Sequence, residues 1–175
     1  MKKFTKYILF ISLGLLCSCS DYLDIVPDNV TTLDIVFNNK NTAQRYLANC
    51  YHFVPDHGSV KRIPGMGAGH ECWFYTDKDS YFDNEVSFYI ARGLQNTNAP
   101  YANYWDGEGG SKLPMFRAIR ECNIFLSYVR DQHKVNDLTD SERKRWIAEV
   151  NVLKAYYHFF LFEHYGPIPI VDEAL

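Results

Sequence analysis

The sequence predicts an all-α domain, and three helical periods carry that prediction. From Asn41 onward, apolar residues fall at Ala43, Tyr46, Leu47, Cys50, Tyr51 and Val54, one face of a helix. A second period runs through Phe116, Ile119, Cys122, Leu126 and Val129. A third, through Trp146, Val150, Leu153, Tyr157 and Phe160, follows the capping-box pattern Thr139-Asp140-Ser141-Glu142. The chain has 175 residues, 47% hydrophobic and 22% charged, which suits a folded unit rather than a disordered one. Its 13 Tyr, 12 Phe and 3 Trp make up 16% of the residues, more than the core of a unit this size obviously needs, so some rings are expected at the surface.

The chain opens on MKKFTK, with Lys2, Lys3 and Lys6 and no acid, followed by an apolar stretch over 7–16 and then small residues. That order of charge, apolar run and small residues is the pattern of a secretory signal peptide. Ten apolar residues make a helix of roughly 15 Å, about half the hydrocarbon thickness of a bilayer, so the stretch is a segment to be removed and not a span. Leu16-Cys17-Ser18-Cys19 resembles the bacterial lipoprotein signal, with Leu16 at −3, small Ser18 at −1 and Cys19 as the acceptor. The resemblance implies removal of residues 1–18 and lipidation of Cys19. Several acyl chains exceed what stable membrane anchoring requires. Formal net charge is −3; without residues 1–18 it becomes −6, from 15 basic and 21 acidic residues. No basic excess remains to follow a phosphate backbone, so a nucleic-acid partner is not expected.

Residues 19–40 mix acids, Pro27 and β-branched residues without a sustained period, and read as a lipid-anchored, extended tether. The first helix takes Asn41 as cap with Gln44 three residues on, and Pro55 and Gly58 end it. Residues 55–110 are rich in Gly and in rings, among them Trp73, Tyr75, Tyr81, Phe88, Tyr89, Tyr101, Tyr104 and Trp105. A loop region this long is usually functional or disordered, and its ring content argues against disorder. The second helix starts at Pro114, placed near its first turn, and reaches about Gln132. The third has a second apolar row at Ile147, Tyr156 and Phe159, so it needs cover on two sides. Gly166-Pro167 stops it, and 167–171 leaves in extended form. Three helices leave the third short of partners, so residues 41–175 are expected to be the N-terminal part of a larger helical domain, incomplete at the C-terminus.

Several segments together resemble the N-terminal region of the SusD/RagB family of Bacteroidetes outer-membrane lipoproteins. They are Cys19-Ser20-Asp21-Tyr22-Leu23-Asp24 followed by Pro27, the helix over 43–51, Trp105 leading into Ala118-Ile119-Arg120-Glu121-Cys122-Asn123-Ile124-Phe125-Leu126, and above all EVNVLKAYYHFFLFEHYGPIPIV at 149–171. The resemblance covers nearly all the chain after the signal, while the family's proteins are several times longer. It implies a tetratricopeptide-like helical scaffold, lipidated at the cell surface, that acts as lid and ligand-binding partner of a SusC-like TonB-dependent transporter. Glycans are the implied ligands, with peptides in some members. No 34-residue repeat is visible in the chain itself. Lys154 stands where the family commonly has Arg; it keeps the charge and loses the bidentate fork.

A glycan site needs flat aromatic faces flanked by polar donors and acceptors. Trp73 and Tyr75 in a Gly-flanked loop, and Tyr81 among Asp77, Asp79, Asp83 and Asn84, are the leading candidates, with Asp79 and Asn84 as polar partners. The competing reading of each ring is a loop anchor packed on the helices. Trp105 is expected in the core, as are the apolar rows of the first and third helices. Gly65-Met66-Gly67-Ala68-Gly69 lacks the Gly-Lys-Ser/Thr ending of a phosphate loop. Asp77-Lys78-Asp79 opens like a calcium loop, but Phe82 replaces the required Gly and Phe88 the terminal Glu. His57, His70 and Cys72 fit no zinc spacing. Neither a Ser nucleophile elbow nor a paired-carboxylate arrangement can be located. No metal, cofactor or catalytic residue is therefore expected. Of Cys50, Cys72 and Cys122 at most one pair can be joined, and Cys50 and Cys122 read as small buried hydrophobes on helix faces. The expected function is non-catalytic capture of oligosaccharide for the transporter. The alternatives are peptide capture by the same scaffold, a surface glycosidase, and a purely structural lid.

Overall fold

A computed structural model of the protein describes residues 32–59, 63–65, 67–69, 86–108 and 111–173. Among these, five helices and no strand form: α1 (Leu33–Val36), α2 (Lys40–Tyr51), α3 (Val86–Ala91), α4 (Met115–Arg130) and α5 (Asp140–Tyr165). All five lie in one compact unit, Leu33–Leu175. The all-α expectation holds, and the three long helices sit where the apolar periods place them.

The caps explain the boundaries. Asn39 keeps an extended backbone and its side chain accepts from the Thr42 N–H at 3.1 Å, so α2 begins two residues before the Asn41 cap read from sequence. α2 ends at Tyr51, which puts Val54 off the helical register and leaves both residues exposed rather than in the core. Pro114 takes the cap position of α4 without a side-chain bond, its ring holding the φ a helix start needs. Thr139 and Glu142 form the reciprocal capping box of α5. Gly166 closes α5 at φ +75, a conformation that side chains disfavour, and its N–H bonds the Phe162 carbonyl at 2.9 Å.

α5 is the spine. α2 runs beside it in the same sense: Lys40 pairs with Glu142 near their starts, and the Tyr157 hydroxyl donates to the Cys50 carbonyl at 2.5 Å near the end of α2. α4 runs the opposite way, its last turn meeting Arg143 and its first turn, through Trp105, meeting Tyr165. The core between them holds Leu47, Ala118, Ile119, Phe125, Trp146, Val150, Leu153 and Phe160.

Residues 33–40 differ from the expected tether. They form α1 and a turn that drives Phe37 into the core with no exposure. Its ring stacks on Tyr128 at 4.5 Å and meets Phe125 edge-on at 5.9 Å, and its carbonyl accepts from the Val135 N–H at 3.1 Å. A short apolar run, Leu33-Asp34-Ile35-Val36-Phe37, is too brief to show a helical period, and of its residues Phe37 is the one fully buried. Of the second row of α5, Ile147 and Tyr156 are half-buried and Phe159 is more than half exposed, as are its neighbours Val152 and Phe162 outside that row. Among the described residues no helix is long and apolar enough to cross a membrane.

After Gly166 the chain returns along α4 and α5. Asn123 donates to the carbonyls of Val171 and Glu173, each at 3.1 Å, and the Val171 N–H donates to His158 Nε2 at 3.2 Å. Nδ1 of the same ring faces the Lys154 carbonyl at 2.8 Å, which makes Nδ1 the protonated nitrogen and frees Nε2 to accept. Lys154 itself reaches Asp172 at 3.1 Å, a single contact that an ammonium can make without a guanidinium fork.

The capping box gives a pH prediction. The Lys40 ammonium beside Glu142, helped by the Thr139 hydroxyl and N–H, holds the Glu142 carboxyl down at about 2 from an ordinary 4.5. A lowered folded-state value means stability that is complete above 4.5 and is lost as pH falls toward 2. Glu142→Gln keeps the capping geometry and removes the charge. Urea midpoints measured from pH 7 to pH 2 should fall less steeply in the acid range for the variant; parallel slopes would refute the assignment.

Candidate functional site

The five residues singled out as ligand contacts, Trp73, Tyr75, Asp79, Tyr81 and Asn84, lie outside the described residues, as do Cys19, the Asp77-Lys78-Asp79 run, His70 and Cys72. The neighbouring rings sort into three groups. Phe53, Phe88 and Tyr104 are buried and serve the core. Tyr89 and Tyr101 stack on each other at 4.0 Å with planes 8° apart, so each covers a face of the other. Among the described residues of this region, Trp105 is the large ring left open, with 43% of its surface exposed.

That exposure corrects the expectation that Trp105 belongs to the core, and the reason is local. The Tyr104 N–H donates to the Tyr165 hydroxyl at 2.8 Å and the Tyr104 carbonyl accepts from the Met115 N–H at 2.9 Å, which turns the Tyr104 side chain inward against Phe160 and His164. The chain bends at Trp105 and Asp106, and the next side chain leaves on the open side. Trp105 is therefore turned outward, supported by Phe116 at 4.5 Å and by Tyr165 edge-on at 5.8 Å.

Around this ring the loop is polar and tightly tied. Asn103 accepts from the Trp105 N–H at 3.1 Å and donates to Asp106 at 2.6 Å, while Asp106 also accepts from the Glu108 N–H at 2.9 Å. Ser111 closes the turn by donating to the Asn103 carbonyl. Gly107 takes φ +82, and a Cβ there would stand 2.7 Å from Pro114 Cδ, so the turn admits no side chain. Tyr165 is 40% exposed beside Trp105; burial of its ring raises its hydroxyl above the usual range, and the Asp106 carboxylate adds to the rise. The hydroxyl stays a neutral donor and acceptor at physiological pH. The result is a rigid Trp–Tyr surface with a carboxylate and an amide at its rim. Flat apolar faces beside fixed polar groups suit a ligand with apolar C–H faces and peripheral hydroxyls.

The signal for this surface was present in the sequence as Trp105 followed by Asp106-Gly107-Glu108-Gly109-Gly110, since a ring next to an acidic glycine loop has little to pack against on that side. Tyr165, sixty positions away, had no such signal. Of the acid and imidazole groups described near this surface, the Asp106 carboxylate accepts from two N–H donors, and His57 pairs with the Tyr156 hydroxyl at 2.6 Å. Among the described residues no group of three His, Cys, Asp or Glu is arranged to hold a metal ion.

Residues 21–174 match the family model described as starch-binding and associating with the outer membrane. No curated protein matches the chain.

Proposed function

The chain belongs to the SusD-like family of starch-binding proteins that associate with the outer membrane, and from that premise we propose that it is a surface lipoprotein that captures oligosaccharide and delivers it to a SusC-like TonB-dependent transporter. In this reading residues 1–18 are removed, Cys19 carries the lipid anchor, and the helical unit is the N-terminal part of a larger tetratricopeptide-like scaffold. The protein binds its ligand without transforming it. Trp73, Tyr75 and Tyr81 supply further stacking faces, with Asp79 and Asn84 as polar partners.

The observation that carries the reading is the outward Trp105 ring held rigid by Phe116 and Tyr165. A preorganised platform loses little rotamer freedom when a sugar ring settles on it, so a few such rings can dominate affinity. Calorimetric titration of the full chain with a linear α-1,4-glucan oligosaccharide tests this. Trp105→Ala should weaken binding about tenfold or more, the equivalent of about 1.4 kcal/mol, with thermal stability little changed because the ring is half outside. Unchanged affinity in the variant would remove Trp105 from the site. Binding of oligopeptides in place of glucans, or release of reducing ends from a bound glycan, would overturn the glycan-capture reading itself.

A further inference from the structure

The two cysteines of the core occupy positions that their neighbours make specific. The Tyr46 hydroxyl donates to Glu121 at 2.5 Å, and the Tyr46 ring stacks on Phe125 at 6.4 Å, which locks the register of α2 against α4. Cys50 lies one turn beyond Tyr46 on α2, and Cys122 lies between Glu121 and Phe125 on α4. Both thiols lie in the core at this α2–α4 interface. Both are fully buried free thiols, with their side chains within hydrogen-bonding reach of each other. Small Ala43 and Ala118, also fully buried on these helices, allow the backbones to come close.

We propose that Cys50 and Cys122 form a structural disulfide that staples α2 to α4. In sequence the pair brackets the ring-rich excursion between α2 and α4, which includes α3 and gives Phe53, Val86 and Tyr104 to the core. A covalent bond there would close the whole excursion into a loop anchored on the core, and closing a long loop removes more freedom from the unfolded chain than closing a short one. The proposal rests on the helix register and is independent of the ligand. The chemistry is exchange with a disulfide oxidant such as glutathione disulfide. A Cys50 thiolate attacks the oxidant and releases one thiol; the Cys122 thiolate then attacks the mixed disulfide and releases the second. Two protein S–H bonds become one S–S bond, two electrons pass to the oxidant, and the two protons leave with its thiols. Contact with Cys122 and burial raise the Cys50 thiol far above the usual range, so exchange proceeds while the helices are docking rather than after the core has closed.

The test is a thiol map of the full chain refolded over reduced and oxidised glutathione, blocked with N-ethylmaleimide in denaturant and cut with trypsin. The expected product joins residues 46–61, which contain Cys50, to residues 121–130, which contain Cys122. The linked form should melt about 5–10 °C above the reduced form. Recovery of both peptides as separate maleimide adducts, or linkage of either one to the peptide containing Cys72, would overturn the proposal. A linked form that melts below the reduced one would also overturn it, because the bond would then be straining the fold.

Discussion

Replacing Arg143 with alanine is expected to lower the free energy of unfolding by about 4 kcal/mol, read as a drop in the urea midpoint followed by far-UV circular dichroism. Arg143 is a guanidinium buried without a carboxylate. Four N–H donors on its two terminal nitrogens face carbonyls instead: Nη1 donates to Val129 at 2.6 Å and Asp131 at 3.2 Å, and Nη2 to Lys134 at 3.0 Å and Val135 at 3.1 Å. Val129 belongs to the last turn of α4, where the helix dipole is negative and its carbonyls lack partners, so the charge is balanced by aligned dipoles rather than by an ion. The loop that follows would otherwise not hold, because Val135 adopts φ +50, an unusual conformation for a β-branched residue. Two of the four carbonyls, Val129 and Val135, are bonded in buried surroundings, and a buried acceptor left without a donor costs about 1–3 kcal/mol. Relaxation of the strained Val135 recovers part of that. Arg143→Lys should restore less than half, since one ammonium cannot bridge two pairs of carbonyls in the geometry a planar fork reaches. A loss below about 1 kcal/mol for the alanine variant would show that water replaces the guanidinium.

Phe125→Ala should cost a similar amount, about 3–5 kcal/mol, by another mechanism. Phe125 has no exposure, and its ring is the junction of three elements: Phe37 from the turn after α1, Tyr46 from α2 and Trp146 from α5, at 5.9, 6.4 and 6.1 Å. Removing it forfeits burial and leaves a void lined by large rings that cannot all move inward together. Phe125→Leu fills most of the void and should cost about 1 kcal/mol. Equal losses for the two variants would mean that shape at this junction matters more than volume. Both experiments are chemical denaturation at neutral pH, and neither variant touches Trp105 or Tyr165.

The legibility of this protein was uneven, and the unevenness follows the range of the interactions. The three long helices and the capping box of α5 depend on residues within a turn or two of each other, so the periods and that box were plain. Asn39 displaced Asn41 as the cap of α2 because the choice between two neighbouring Asn residues was made from outside, where Asp137 takes the Lys40 N–H at 2.8 Å. Phe37 entered the core because Tyr128, Phe125 and Val135, nearly a hundred positions on, make a place for it. Trp105 turned outward because Tyr104 was pulled in by Tyr165 and Met115. Each difference came from a contact between segments far apart in the chain.

The family resemblance was legible in the same way, as local strings, and the match over residues 21–174 agrees with it. The loop rings singled out as contacts were a reading of composition and remain part of the proposal. What the sequence by itself determined is the three long helices, their main apolar faces and the family, because periodicity is written in neighbouring residues. Which ring faces solvent, which arginine ties the α4–α5 connection and which two cysteines meet were decided only by tertiary structure. Those outcomes depend on the register of one helix against another, and register is a sum over partners that no single segment contains.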